Sequence, residues 1–283
     1  MASFTNFATL SYNGGTTNSN IVTGEILEAL TAVKTAVSAN YSAGDRITYA
    51  LSLVNTGTAA ITDYTVTDNL GGYTVGANTV YPLAYNAGTM RYYINGVLQT
   101  APTVTAGPPL TVTGLTVPAG GSAVLIYETT ATPVAPLATG SSITNTATIT
   151  GGGLTTPISA QATVETANSA DLTISKALSP TTVTENGQIT YTFVISNTGN
   201  TEATATGNVV VTDTFAPILR NIAVTYNGTA WTEGTNYTYN AATGVFTTLA
   251  GQITVPAASF TQNTDGTFTV TPGTATLVIT GTV

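Results

Sequence analysis

The sequence predicts an all-β chain made of two sandwiches in series. Three observations predict it: apolar residues alternate with period two, threonine fills the intervening positions, and the second half repeats the first. Leu172-Thr173-Ile174-Ser175-Lys176 and Ile189-Thr190-Tyr191-Thr192-Phe193-Val194-Ile195 show the alternation. That pattern suits a pleated, half-buried strand. Threonine supplies 64 of the 283 residues, and 42% of the chain is hydrophobic. This is enough apolar surface to bury two cores, and it sets the chain apart from disordered sequences.

The elements follow in order. Phe4-Thr5-Asn6-Phe7-Ala8-Thr9-Leu10 alternates and reads as a strand. Residues 26–37 have some helical spacing, but their second half aligns with a strand later in the chain, so that half is expected to be strand. Ile47-Thr48-Tyr49 opens a further strand, and Asn55-Thr56-Gly57 reads as the turn that ends it. Asn95-Gly96 and Asn227-Gly228 lie between alternating runs and predict tight hairpins. Ile143-Thr144-Asn145-Thr146-Ala147-Thr148-Ile149 and Ala160-Gln161-Ala162-Thr163-Val164 supply two more strands.

The internal repeat sets the organisation. Leu30-Thr31-Ala32-Val33-Lys34 matches Leu172 to Lys176, Ile47-Thr48-Tyr49 matches Ile189-Thr190-Tyr191, and Asn55-Thr56-Gly57 matches Asn197-Thr198-Gly199. All three share an offset of 142 residues. Val66-Thr67-Asp68 matches Val211-Thr212-Asp213, and Ala123 to Tyr127 matches Ala275 to Ile279. The first copy continues into Ile143 to Ile149, which has no counterpart in the second. Phe4 to Leu10 resembles that missing strand. The expected domains are therefore residues 1–25, a donor strand or hairpin; 26–166, the first sandwich; and 167–283, a second sandwich lacking its last strand or strands.

A sandwich without its closing strand exposes an unpaired edge and an apolar groove. The N-terminal strand places Phe4, Asn6, Ala8 and Leu10 on one face. Inserting it into the second sandwich of another copy covers both surfaces and gives an open, head-to-tail polymer. The competing reading is a strand that folds back within its own chain.

The two lysines, Lys34 and Lys176, occupy equivalent positions, and parity points both toward the apolar face. Asp68 and Asp213 share inward faces of later strands. Asn145 does so in the closing strand and Asn6 in the N-terminal one. Each repeat thus offers an inward Lys, Asp and Asn. Such a trio suits a spontaneous amide bond, in which a desolvated lysine amine attacks the Asn carbonyl and ammonia leaves, with a protonated Asp assisting. Lys34 would join Asn145 within a subunit, assisted by Asp68. Lys176 would join Asn6 of the next subunit, assisted by Asp213. The alternative is a buried Lys–Asp ion pair with Asn as a hydrogen-bond partner.

Composition narrows the function classes. Thirteen acids against five bases give a net charge of -8, which argues against nucleic-acid binding. Without histidine or cysteine there are no disulfides, no Cys or His metal sites and no Ser-His or Cys-His catalysis. No enzyme activity, cofactor or metal is expected. No apolar run is long enough to cross a membrane as a helix. Met1-Ala2-Ser3-Phe4-Thr5-Asn6 lacks the basic and apolar blocks of a signal peptide. Asn263-Thr264-Asp265-Gly266 reads as a turn, and Tyr92-Tyr93 and Trp231 as packed aromatics.

Leu172 to Lys176, Ile189 to Phe193, Asn197-Thr198-Gly199, Val211-Thr212-Asp213 and Ile143 to Thr148 together resemble the bacterial surface repeat known as "domain of unknown function eleven". The resemblance covers about residues 30–283 and implies an Ig-like, extracellular sandwich. The Lys–Asn logic is similar to that of isopeptide-bonded sandwiches in Gram-positive surface proteins. The chain also resembles subunits of ribbon-like endospore appendages, which are made in the mother cell without a signal peptide. The resemblance therefore implies a self-assembling fibre on the spore surface. A cell-surface adhesin built of Ig-like repeats is the other reading.

Overall fold

A computed structural model describes residues 2–26 and 29–283. Among them the regular structure is strand, apart from a 3-10 turn at Ala205–Gly207. None of the described helices is long and apolar enough to cross a membrane. The chain forms two compact units. One comprises Met1–Ala135 with Ser142–Glu165, the other Pro136–Ser141 with Thr166–Val283. The stretch Pro136–Ser141 joins the second unit because Asn200 Nδ2 donates to the Leu137 carbonyl at 3.0 Å and Thr139 Oγ1 donates to the Asn200 carbonyl at 2.6 Å.

The first unit opens with a bent hairpin. Strand β1 (Ala2–Asn6) pairs with β4 (Val22–Ile26), and β2 (Thr9–Tyr12) pairs with β3 (Gly15–Asn18). Asn6 faces Val22, whereas Thr9 faces Asn18, so the return strand carries one extra residue at the bend.

Then follow β5 (Leu30–Ala36), β6 (Asn40–Tyr41), β7 (Arg46–Asn55), β8 (Ile61–Asp68), β9 (Tyr73–Val75), β10 (Asn78–Val80), β11 (Leu83–Tyr85), β12 (Arg91–Ile94), β13 (Val97–Leu98), β14 (Thr103–Thr105), β15 (Leu110–Val117), β16 (Ser122–Ala131), β17 (Ser142–Gly151) and β18 (Ile158–Thr166). One sheet runs β13-β12-β16-β7-β5, with β11 also on β16; the other runs β14-β15-β8-β17-β18-β6. Every second residue of β7, β16 and β17 is buried between them. Strand β5 occupies the second half of residues 26–37, where the repeat alignment sets the expectation of a strand. Positions 27 and 28 lie outside the described residues.

The second unit contains β19 (Leu172–Ser179), β20 (Gln188–Asn197), β21 (Thr212–Thr214), β22 (Arg220–Tyr226), β23 (Thr229–Trp231), β24 (Tyr237–Asn240), β25 (Val245–Thr248), β26 (Ser259–Gln262), β27 (Phe268–Thr271) and β28 (Gly273–Thr282). Its first sheet, β23-β22-β28-β20-β19, reproduces that of the first unit strand for strand. The register agrees: Leu51 faces Leu125, and Phe193 faces Leu277. Its second sheet is only β21-β25-β24. Among the described residues no strand stands on β21 where β17 and β18 stand on β8.

Two local devices recur. Asn95-Gly96 and Asn227-Gly228 both take positive φ and close two-residue hairpins. Asn55 and Asn197 are buried clasps. Asn55 Nδ2 donates to the Ala59 and Pro118 carbonyls at 2.8 and 3.0 Å, and Asn197 Nδ2 to those of Thr201 and Pro256 at the same distances. This explains the Asn-Thr-Gly repeats as turns that tie the two sheets.

Candidate cross-linking centres and an open sheet edge

In the first unit three strands bring the expected trio to one place. Lys34 lies on β5, Asp68 ends β8, and Asn145 lies on β17 two residues from Ala147, which faces Asp68. Lys34 Nζ donates to Asp68 Oδ2 at 2.5 Å, with side-chain exposures of 0% and 2%. The Tyr127 hydroxyl donates to the same oxygen, and the Leu70 N–H donates to Asp68 Oδ1 at 2.9 Å. The lysine Nζ lies 4.9 Å from the centre of the Tyr49 ring and 6.0 Å from that of Tyr127. Burial pulls the Lys34 pKa from 10.5 down to about 8, against the opposing pull of the Asp68 charge and hydrogen bond.

Asn145 is fully buried, and both its amide atoms lack a hydrogen-bond partner. It lies against the hydroxyls of Tyr49 and Tyr127 without a well-formed bond to either. A buried polar group left unsatisfied costs about 1–3 kcal/mol and calls for an explanation. Here the amide, an electrophile, shares its tyrosine neighbours with the desolvated Lys34 amine and the Asp68 carboxylate. Amine, carboxylate and amide are the parts of an aminolysis reaction. The structure directs three donors at Asp68: the Lys34 amine, the Tyr127 hydroxyl and the Leu70 N–H.

The second unit repeats half of this centre. Lys176 Nζ donates to Asp213 Oδ2 at 2.5 Å, and the Thr214 N–H donates to Asp213 Oδ1 at 2.9 Å. Tyr191, Phe193 and Phe215 box the ammonium at 4.5, 5.4 and 5.6 Å. This centre is open to solvent, with side-chain exposures of 41% for Lys176 and 18% for Asp213. Strand β5 buries Leu30 and Lys34, whereas β19 leaves Ile174, Lys176 and Leu178 exposed.

The N-terminal hairpin carries the fourth expected group. Phe4 and Asn6 lie on β1, Leu10 on β2, and Ala8 in the bend between them, so the single continuous donor strand is in fact interrupted. All four are exposed; Phe4 is 54% and Leu10 64% accessible. Strands β17 and β18 keep one register from Ser142 opposite Glu165 to Ile149 opposite Ile158, whereas the hairpin sets Asn6 opposite Val22 but Thr9 opposite Asn18 and so shifts by one residue at its bend.

Sequence reasoning missed Tyr49 and Tyr127. Tyr49 stood within a repeat match, Ile47-Thr48-Tyr49 with Ile189-Thr190-Tyr191, so its recurrence beside each lysine was the available signal. Tyr127 has Ile279 as its counterpart and left no such signal. Tyr92 and Trp231 are packed: the Tyr92 hydroxyl donates to the Thr116 carbonyl at 2.6 Å, and Trp231 stacks on Tyr226 at 4.8 Å. Asp265 binds Thr267 in a turn. Among the described residues no group of His, Cys, Asp or Glu is placed to hold a metal.

No family model matches the chain, and no curated protein matches it. Several solved structures are similar at low identity. The major pilin subunit of Bacillus cereus is 14% identical, with 96% of this chain and 73% of that one covered and a TM-score of 0.35. The pilus backbone of Streptococcus pneumoniae is 13% identical, with 86% and 55% covered and a TM-score of 0.36. The N-terminal domain of a Streptococcus gordonii adhesin is 14% identical, with 48% and 32% covered and a TM-score of 0.36. The chain thus spans about half of the pneumococcal backbone and a third of the adhesin domain. The sandwich assignment stands on the sheets described above, not on these likenesses.

Proposed function

We propose that this chain is the subunit of an extracellular fibre. The N-terminal hairpin of one copy completes the second sandwich of the next, and Lys–Asn amide bonds lock both sandwiches. One contrast carries the reading. The same Lys–Asp pair is sealed by a closing hairpin in the first unit and open beside a bare β21 edge in the second. A spare hairpin, with an Asn at the position that Asn145 holds in β17, stands exposed at the N-terminus. Docked in the register of β17 on β8, it sets Ala8 opposite Asp213, Thr9 opposite Thr212 and Leu10 opposite Val211. Asn6 then stands to Lys176 as Asn145 stands to Lys34.

Each bond forms in the same way. The lysine ammonium gives one proton to the Asp carboxylate, and the free amine attacks Cγ of Asn. The Asp hands that proton to the departing Nδ2, ammonia leaves, and the proton lost by the attacking nitrogen returns to Asp. The lysine N–Cγ bond replaces the Cγ–Nδ2 bond, and the mass falls by about 17 Da per bond. On the family resemblance, the fibre belongs to the surface of a spore.

Removing residues 1–26 tests the reading. The full chain should form filaments under the electron microscope and a boiling-resistant ladder on denaturing gels. The shortened chain should stay monomeric with its first unit folded. Filaments that persist without the hairpin would sink the proposal, and antibody labelling of sporulating cells checks the location.

A further inference from the structure

The Tyr49 hydroxyl is buried, has no hydrogen-bond partner and lies against the Asn145 amide. Its ring is 4.9 Å from the Lys34 amine. The other hydroxyl against Asn145, that of Tyr127, is already committed to Asp68. In the second unit Tyr191 takes the Tyr49 position, with its ring 4.5 Å from Lys176 Nζ, whereas Ile279 replaces Tyr127. A tyrosine beside the lysine is therefore common to both centres. The phenol bound to the aspartate is not.

Amide formation needs a donor at this position. When the amine adds to Cγ of Asn145, the C=O π pair moves onto Oδ1. The Lys34–Asp68 pair handles protons on the nitrogens and supplies no donor to that oxygen. A preorganised hydroxyl in a water-excluded site is well suited to stabilise it. We propose that Tyr49 is a catalytic residue of the first amide bond, donating its hydroxyl to Oδ1 of Asn145 as negative charge develops there. Tyr191 does the same for Asn6 of the incoming copy. Tyr127 is a positioning residue that holds Asp68 toward Lys34. This inference rests on the amide-bond reading above and assigns the residue that makes the bond fast.

The test follows bond formation in full-length chains made by pulse-labelled cell-free synthesis, reading the loss of about 17 Da by intact mass under denaturing conditions. Tyr49→Phe keeps the ring and removes only an unpartnered hydroxyl, so the fold should be retained. The expected slowing of the intramolecular bond is roughly 10²–10³-fold, the usual effect of losing one oxyanion donor. Tyr191→Phe should slow the intermolecular ladder by a similar factor while non-covalent filaments still assemble. This second variant keeps the test decisive if Tyr49→Phe fails to fold. Paired melts of Asn145→Ala chains with and without Tyr49→Phe separate a rate effect from a loss of stability. Wild-type rates in both tyrosine variants would overturn the assignment. A parent chain that loses no mass would instead overturn the amide bonds themselves.

Discussion

At the residue scale, the first unit buries a lysine, which is costly unless the amine is neutral or paired. Desolvation outweighs the Asp68 charge and lowers the Lys34 pKa to about 8. In an Asn145→Ala chain the amine has no electrophile and stays free. Between pH 8 and 10.5 the unfolded chain then binds more protons than the folded one, so stability rises with pH across that interval. Buried tyrosines work in the opposite direction above pH 10, because burial raises Tyr49 and Tyr64 in the fold. Thermal melts should therefore show Asn145→Ala gaining stability from pH 8 to 10. On the proposed amide bond, the parent should lack that gain. Lys34, Asp68 and Asn145 were legible in the sequence because two lysines at matched repeat positions and strand parity single them out. Tyr127 was not, because its bond to Asp68 spans two sheets and parity carries no information on distance.

At the scale of strands, the two halves differ in what covers the second sheet. Strand β8 lies inside its sheet between β15 and β17, whereas β21 lies at an edge. Backbone groups at an edge are unprotected until another strand pairs with them. Hydrogen exchange should accordingly be fast at β21 in the hairpin-deleted monomer and slow at β8. In filaments β21 should become as protected as β8. Equal protection in monomer and filament would place the contact elsewhere. The sequence displayed the repeat and the unmatched closing strand. It left strand and hairpin both open for residues 1–25, because Gly15-Thr16-Thr17-Asn18 in the return strand carries little apolar alternation. The bend at Phe7 and Ala8 was equally hidden, since alternation continues through it.

At the scale of the whole molecule, the proposed donor and acceptor are different surfaces, so each added copy would leave one of each free and growth would not close on itself. Covalent links at every junction would make the polymer resistant to boiling and denaturant. The sequence contained the elements of this arrangement as a repeat out of phase with its own strands. The unequal exposure of two otherwise equal Lys–Asp pairs needed coordinates. The most direct measurement is a cross-link between copies. The chain has no cysteine, so one batch carries Thr9→Cys, another carries Thr212→Cys, and the mixture is treated with a short bis-maleimide. The predicted register sets these residues opposite each other, with Cβ atoms about 5 Å apart, and the expected product is a mixed dimer containing one chain of each kind. Efficient filament formation without that dimer would contradict hairpin donation.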